Sequence, residues 1–238
     1  MRCLPLRTRV LLASGFGVFA VAAVSVAIGP WLQASAGYPW TASAVFAAMM
    51  AAVVATVGGH HPFASFGSAN YVTMIRAALV ALAAALLVEP PSAPIAWLVV
   101  GATACLAALD GLDGWLARRS GGASAFGARF DMEVDALLVL VLSLFVWRHD
   151  KAGVWVLACG LMRYAFVAAG WVLPWMNGPL KPTLRGKSVA VVQFAGLSVA
   201  LAPVVPAPAS AVVAAITLAT LLWSFAIDVR RLSRGEGN

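Results

Sequence analysis

Apolar runs of about 20 residues recur along this chain, and nothing else in it constrains the fold as tightly. A helix crossing the hydrocarbon core of a bilayer needs about 20 mostly apolar residues, and its backbone must satisfy its own hydrogen bonds. Runs of that kind cover residues 10–32, 38–58, 71–88, 95–109, 130–147, 152–175, 188–206 and 210–227. The chain is 62% hydrophobic and 11% charged, against about 45–50% and about 25% in a soluble domain. The runs predict an all-α integral membrane protein of about eight transmembrane helices. Pro39, Pro62, Pro90, Pro91, Pro94, Pro179 and Pro182 are placed in the connections, and Pro203, Pro206 and Pro208 in the last turn.

The formal net charge is +7, and the basic residues sit at the ends of the runs. Arg2, Arg7 and Arg9 precede the first. Arg118, Arg119 and Arg129 lie between the fourth and fifth, Lys181, Arg185 and Lys187 between the sixth and seventh, and Arg230, Arg231 and Arg234 after the eighth. With eight crossings these fall on one side, and only Arg148 and Lys151 fall opposite. Lys and Arg mark the cytoplasmic side, so both termini are expected there, in an inner or plasma membrane. No basic tract is interleaved with aromatics as nucleic-acid binding requires, so no nucleic-acid partner is expected; the basic ends meet anionic membrane lipid. The first run, followed by Ala34-Ser35-Ala36, could be a cleaved leader. It is longer than the usual apolar core of about 7–15 residues, and an uncleaved helix is the expectation. Cys3, Cys105 and Cys159 lack metal or disulfide spacing.

The acidic residues are the unusual feature. There are nine in all, and Asp110, Asp113, Asp131, Glu133 and Asp135 crowd the facing ends of the fourth and fifth runs. Carboxylates at a membrane edge are costly and mark a functional site by default. Gathered together they repel one another unless cations intervene, and a hard divalent cation on carboxylate oxygens answers that need. Asp110 and Asp113 are three apart, and Asp131 and Asp135 four apart, so each pair shares a helix face. Glu133 lies off that face, solvated or paired with Arg129.

The stretch DGLDGWLARRSGGASAFGARFDMEVD fits D-x-x-D-G-x-x-A-R-x8-G-x-x-x-D-x-x-x-D at every fixed position. Those positions are Asp110, Asp113, Gly114, Ala117, Arg118, Gly127, Asp131 and Asp135. At roughly 5–8% usage per position, a chance match is about one in a billion per start. This resembles the signature of the CDP-alcohol phosphatidyltransferase family. Asn70, Thr73 and Arg76 are similar to the opening of the family's first core helix, and Arg185-Gly186-Lys187 with Gln193 to a later one. The resemblance implies a six-helix catalytic core over residues 61–238, with residues 1–60 an added N-terminal pair of helices to which it gives no role. It implies that Asp110, Asp113 and Asp131 hold Mg2+ or Mn2+, and that Asp135 is the catalytic base, touching metal as well. Asn70, Thr73, Gly114, Ala117, Arg118 and Gly127 are then nucleotide-binding positions. A glycine there lets a nucleotide approach the backbone, and Arg118 can fork onto phosphate oxygens. The implied partners are a CDP-linked lipid donor and a small alcohol acceptor, with CMP released. Family members are often dimers, and the resemblance leaves a homodimer open here.

The remaining cations bear on the acceptor. Arg76, Arg129, Arg163, Arg185 and Lys187 are candidate acceptor or phosphate contacts, which favours an anionic acceptor. The competing expectation is that Arg76 and the loop cations only orient the chain, and that Arg163, inside the sixth run, pairs with a carboxylate. The alternative function is a divalent-cation transporter using the aspartates as an ion site. Clustering of the acids at one membrane edge, and not along a path, favours the enzyme.

Overall fold

The computed structural model describes residues 5–60, 66–120, 124–177 and 183–234, apart from the side chains at 58–60, 110–120, 174 and 177. Among the described residues there is no strand. Eight α-helices follow in order: α1 Leu6–Leu32, α2 Tyr38–His60, α3 Ser68–Ala85, α4 Ala93–Ser120, α5 Ala125–Arg148, α6 Leu157–Val172, α7 Leu184–Leu201 and α8 Ala207–Ser233. Among the described residues, six of these helices are long and apolar enough to cross a membrane. The other two are the carriers of the acidic signature. α4 is apolar only over Ala93–Leu109, and α5 opens with Arg129, Asp131, Glu133 and Asp135 before its apolar length begins. The chain is a multi-pass, all-helical membrane protein.

Several helix starts differ from those set by hydropathy, and local capping explains two of them. α5 begins at Ala125 because the Ser124 hydroxyl accepts from the Gly127 N–H at 3.0 Å. α7 begins at Leu184 because the Thr183 hydroxyl accepts from the Gly186 N–H at 3.1 Å. Each cap satisfies a donor that would otherwise be orphaned at a helix start. Gly127, Arg185 and Lys187 are therefore helical. Pro39, Pro94 and Pro208 lie inside α2, α4 and α8 and not in connections. Each stands in the first turn, where the missing N–H costs nothing.

The chain forms two compact units, Met1–Leu137 and Leu138–Asn238. In the first, α2 packs between α1 and α3, and α3 packs on α4. The buried side of α2 is a stripe at helical spacing, Tyr38, Ala42, Phe46, Met50, Val53 and Val57. α1 meets it through small residues, including Ser14, Ser25 and Gly29, as close packing in a bilayer favours. The far side of α1 exposes Leu12, Phe16, Phe19 and Val26, a face suited to hydrocarbon. The turn between α1 and α2 is held by a buried carboxylate. Glu89, 5% exposed, accepts from the Ser35 N–H at 3.0 Å and from the Ser35 hydroxyl at 2.7 Å. The Tyr38 hydroxyl donates to the Leu82 carbonyl at 3.2 Å. Both contacts anchor the added hairpin to the C-terminal end of α3.

Glu89→Ala removes the charged acceptor of two hydrogen bonds from the exposed Ser35. We expect a loss of about 1–3 kcal/mol, and a smaller loss of about 1 kcal/mol for Ser35→Ala, which leaves the backbone N–H contact available. Unfolding of the purified protein in detergent measures both, and equal stability of the Glu89 variant and the wild type would show that the latch carries no load.

In the second unit α7 lies along α8. The Gln193 amide donates to the Thr217 carbonyl at 2.8 Å, and Gly196 leaves the space that Thr217 fills. Gly160 of α6 faces the Leu140 backbone of α5, where a Cβ would collide with main chain. Arg185 of α7 pairs with Asp228 of α8. Lys151 donates to the Ala202 carbonyl at 3.2 Å and to the Val205 carbonyl, tying the α5–α6 connection to the α7–α8 turn.

Candidate active site

Two rows of side chains, one from α3 and one from α5, build the described part of the site. Asn70, Thr73 and Arg76 recur every three residues on α3, and all are buried. Gly127, Asp131 and Asp135 recur every four residues on α5, so they line one side of that helix. The two rows meet at both ends. Asn70 lies against Gly127, where a Cβ would stand 2.6 Å from its Oδ1. Arg76 places one terminal nitrogen on Asp131 and the other on Asp135. Beside the α5 row, Phe126, Phe130 and Val134 are buried, while Met132 and Glu133 are exposed.

The α3 row is set by its own backbone contacts. Gly67 precedes the helix with φ of 86°, a conformation suited to glycine. The Asn70 amide donates to the Phe66 carbonyl at 2.6 Å, which fixes the side chain and turns Oδ1 toward α5. The Thr73 hydroxyl donates back to the Ala69 carbonyl at 3.2 Å. Phe66 is buried and stacks edge-on against Tyr71, with ring centroids 5.2 Å apart.

Exposure separates the charges. The Arg76 side chain is 1% exposed, while Asp131 is 33% and Asp135 26% exposed. The guanidinium therefore lies on the interior side of the two carboxylates. Both carboxylates reach one guanidinium, each through its own terminal nitrogen, so they face the same positive charge. Their oxygen-only chemistry suits a hard divalent ion. Among the described residues, no group of three or more His, Cys, Asp or Glu gathers.

The other signature positions can be placed only in part. Asp110, Asp113, Gly114, Ala117 and Arg118 lie within α4, which runs unbroken to Ser120. Their side chains lie outside the described residues, as does Lys181 altogether. Arg129 is exposed near the start of α5, and Lys187 is exposed in the first turn of α7. Arg163 is half-buried in α6. Arg185 has Asp228 as its partner, a pairing that the sequence reading did not assign. Its only sequence signal was an acid near the end of an otherwise apolar run.

A multi-pass helical membrane protein with two signature carboxylates on one side of α5, both paired with a buried arginine of α3, defines the class. The CDP-alcohol phosphatidyltransferase family matches residues 66–223, and the chain belongs to that family. Its members transfer a phosphatidyl-type group from a CDP-alcohol in phospholipid biosynthesis, and they generally depend on divalent metal. No curated protein and no solved structure matches the chain. The match begins at Phe66, so α1 and α2 lie outside it.

Gly127→Ala tests the contact between the rows. The added methyl must displace the Asn70 amide, whose other end is held by Phe66. We expect at least about a tenfold loss of turnover from this misplacement, and a loss of unfolding stability in detergent that the double variant Gly127→Ala, Asn70→Ala recovers. A double variant no better than the single one would place the effect elsewhere.

Proposed function

We propose that this chain moves a phosphatidyl group from a CDP-diacylglycerol-like lipid to an alcohol bearing phosphate or another anionic group, with release of CMP. The observation that carries this reading is the convergence of Asp131 and Asp135, two aspartates of the signature, on one cation. In this reading Asp110, Asp113, Asp131 and Asp135 hold Mg2+ or Mn2+, and Asn70, Thr73, Gly114, Ala117, Arg118 and Gly127 surround the nucleotide. The active site and both termini face the cytoplasm, residues 61–238 form the catalytic core, and the protein works as a homodimer.

The bound metal would supply charge neutralisation of the donor's diphosphate. The chain's own residues do the rest. Asp135 accepts the proton of the acceptor hydroxyl on a carboxylate oxygen. The hydroxyl oxygen forms a bond to the phosphorus bearing the lipid, and the bond from that phosphorus to the bridging oxygen breaks. The electron pair leaves with CMP. Arg118 contacts phosphate oxygens of the donor, a role suited to a forked guanidinium.

The anionic acceptor rests on Arg129 and Lys187, exposed cations near the starts of α5 and α7, with Arg163 and the Asp228-paired Arg185 as further candidates. A panel of alcohols, with and without phosphate, offered to purified protein with labelled CDP-diacylglycerol tests it. The expected result is transfer to a phosphorylated alcohol, with the acceptor KM raised in Arg163→Ala and Lys187→Ala. A neutral alcohol as best acceptor, or unchanged KM in both variants, would overturn it.

A further inference from the structure

Arg76 is the largest fully buried side chain in the described structure, and its place within the site is unusual. A residue that anchors a helix at the interface extends its charged end toward water. A phosphate anchor presents its guanidinium to the substrate. At 1% exposure, with Nη1 on Asp131 Oδ1 and Nη2 on Asp135 Oδ1, Arg76 does neither. Its two terminal nitrogens are spread across two carboxylates one helical turn apart. The planar guanidinium fits that span, and the point charge of a lysine does not.

From this geometry we infer that Arg76 is a positioning residue: a resident cation that fixes the Asp131 and Asp135 carboxylates from behind and competes with divalent metal for their charge. The inference rests on the metal-binding reading of those aspartates. The physics has two parts. First, two carboxylates beside a bilayer repel each other, and a buried cation holding one oxygen of each removes that cost when no metal is bound. Second, a fixed positive charge at the ligands opposes an arriving divalent cation. Arg76 thus trades metal affinity for geometry: the metal binds less tightly than to free carboxylates, and the ligand and base are held in register for transfer.

The sign of the metal effect separates this role from the alternatives. Arg76→Gln removes the charge and the fork, and Arg76→Lys keeps the charge but cannot span both carboxylates. Purified full-length protein is stripped with chelator and titrated with Mn2+ alone, and free Mn2+ is read by electron paramagnetic resonance. Turnover is followed in parallel as CMP release from CDP-diacylglycerol. We expect Arg76→Gln to bind Mn2+ about tenfold more tightly than the wild type, while kcat falls about 100-fold and the donor KM stays within about threefold. Arg76→Lys should keep wild-type Mn2+ affinity and still lose at least about tenfold in kcat. The lysine variant carries the kcat-against-KM test should the glutamine variant fail to fold.

Mn2+ affinity in Arg76→Gln equal to or weaker than wild type would overturn the inference. A donor KM raised tenfold or more with kcat retained in either variant would overturn it too, and would make Arg76 a phosphate contact. Absence of Mn2+ binding by the wild type would overturn the metal-binding reading and the inference with it. That result differs from wild-type binding with an unchanged variant, which removes the inference alone.

Discussion

Asp131→Asn should abolish metal-dependent turnover. The substitution keeps size and shape and removes one negative charge, so the loss reads the charge itself. Asp131 is a signature aspartate on α5 whose carboxylate is 33% exposed and meets Arg76 on its inner side. The amide is a poor ligand for a hard divalent cation, and it leaves the buried guanidinium with a weaker partner on that side. Removing one member of a buried charged pair costs about 3–5 kcal/mol. Because Asp131 is a third exposed, about 3–4 kcal/mol of that is expected in the barrier, a fall in rate of about 10²–10³. Asp110→Asn and Asp113→Asn should act in the same direction, through metal-dependent CDP binding. The measurement is CMP release across a Mg2+ titration, beside CDP binding by the same preparations. Undiminished turnover in any of the three variants would remove that residue from the ligand set.

Asp135→Asn should separate chemistry from binding. If Asp135 chiefly takes the acceptor proton, its loss costs about 10²–10⁴ in rate, and CDP affinity stays within about threefold of the wild type. Single-turnover transfer, measured at saturating donor, isolates the chemical step from release. A fall in CDP affinity equal to the fall in rate would mark Asp135 as a ligand that the donor's metal cannot do without. The Arg76 fork makes the comparison with Asp131→Asn direct. Each variant removes one of two carboxylates held by the same guanidinium, so the disturbance of Arg76 is similar in both, and the remaining difference reports the separate role of each aspartate.

Much of the helical architecture was legible because membrane helices need long apolar runs. All eight runs correspond to helices, since a chain in hydrocarbon has few other ways to satisfy its backbone. The starts of α5 and α7 were less legible because they are fixed by Ser124 and Thr183 side chains, and hydropathy does not register a cap. The i, i+4 spacing of Asp131 and Asp135 was enough to place both on one side of a helix. The part of α4 that carries Asp110 and Asp113 is helical as well, and their side chains fall outside the described residues.

What the sequence hid was pairing across helices. Gly127 reads as room for a nucleotide. In the structure the same missing side chain makes room for Asn70, a contact that depends on the register of α3 against α5. Arg76 could be read as an interface anchor or a substrate contact. Its position behind two aspartates follows from burial, which a single sequence does not report. Glu89 attracted no notice beside Pro90 and Pro91, yet it holds the turn of a hairpin that the family match does not include. A lone acid at the membrane face with few basic residues was the available signal.

The central claim is that the signature aspartates serve a CDP-lipid transferase. The most direct measurement is release of labelled CMP from CDP-diacylglycerol by purified protein, with Mg2+ or Mn2+ and a panel of acceptor alcohols, before and after chelation. The account predicts CMP release that needs both an acceptor and the divalent ion, stops with chelator and returns when metal is restored. No CMP release under any of these conditions, from protein that carries Mg2+ across the membrane of sealed vesicles, would contradict it and make the aspartates an ion site.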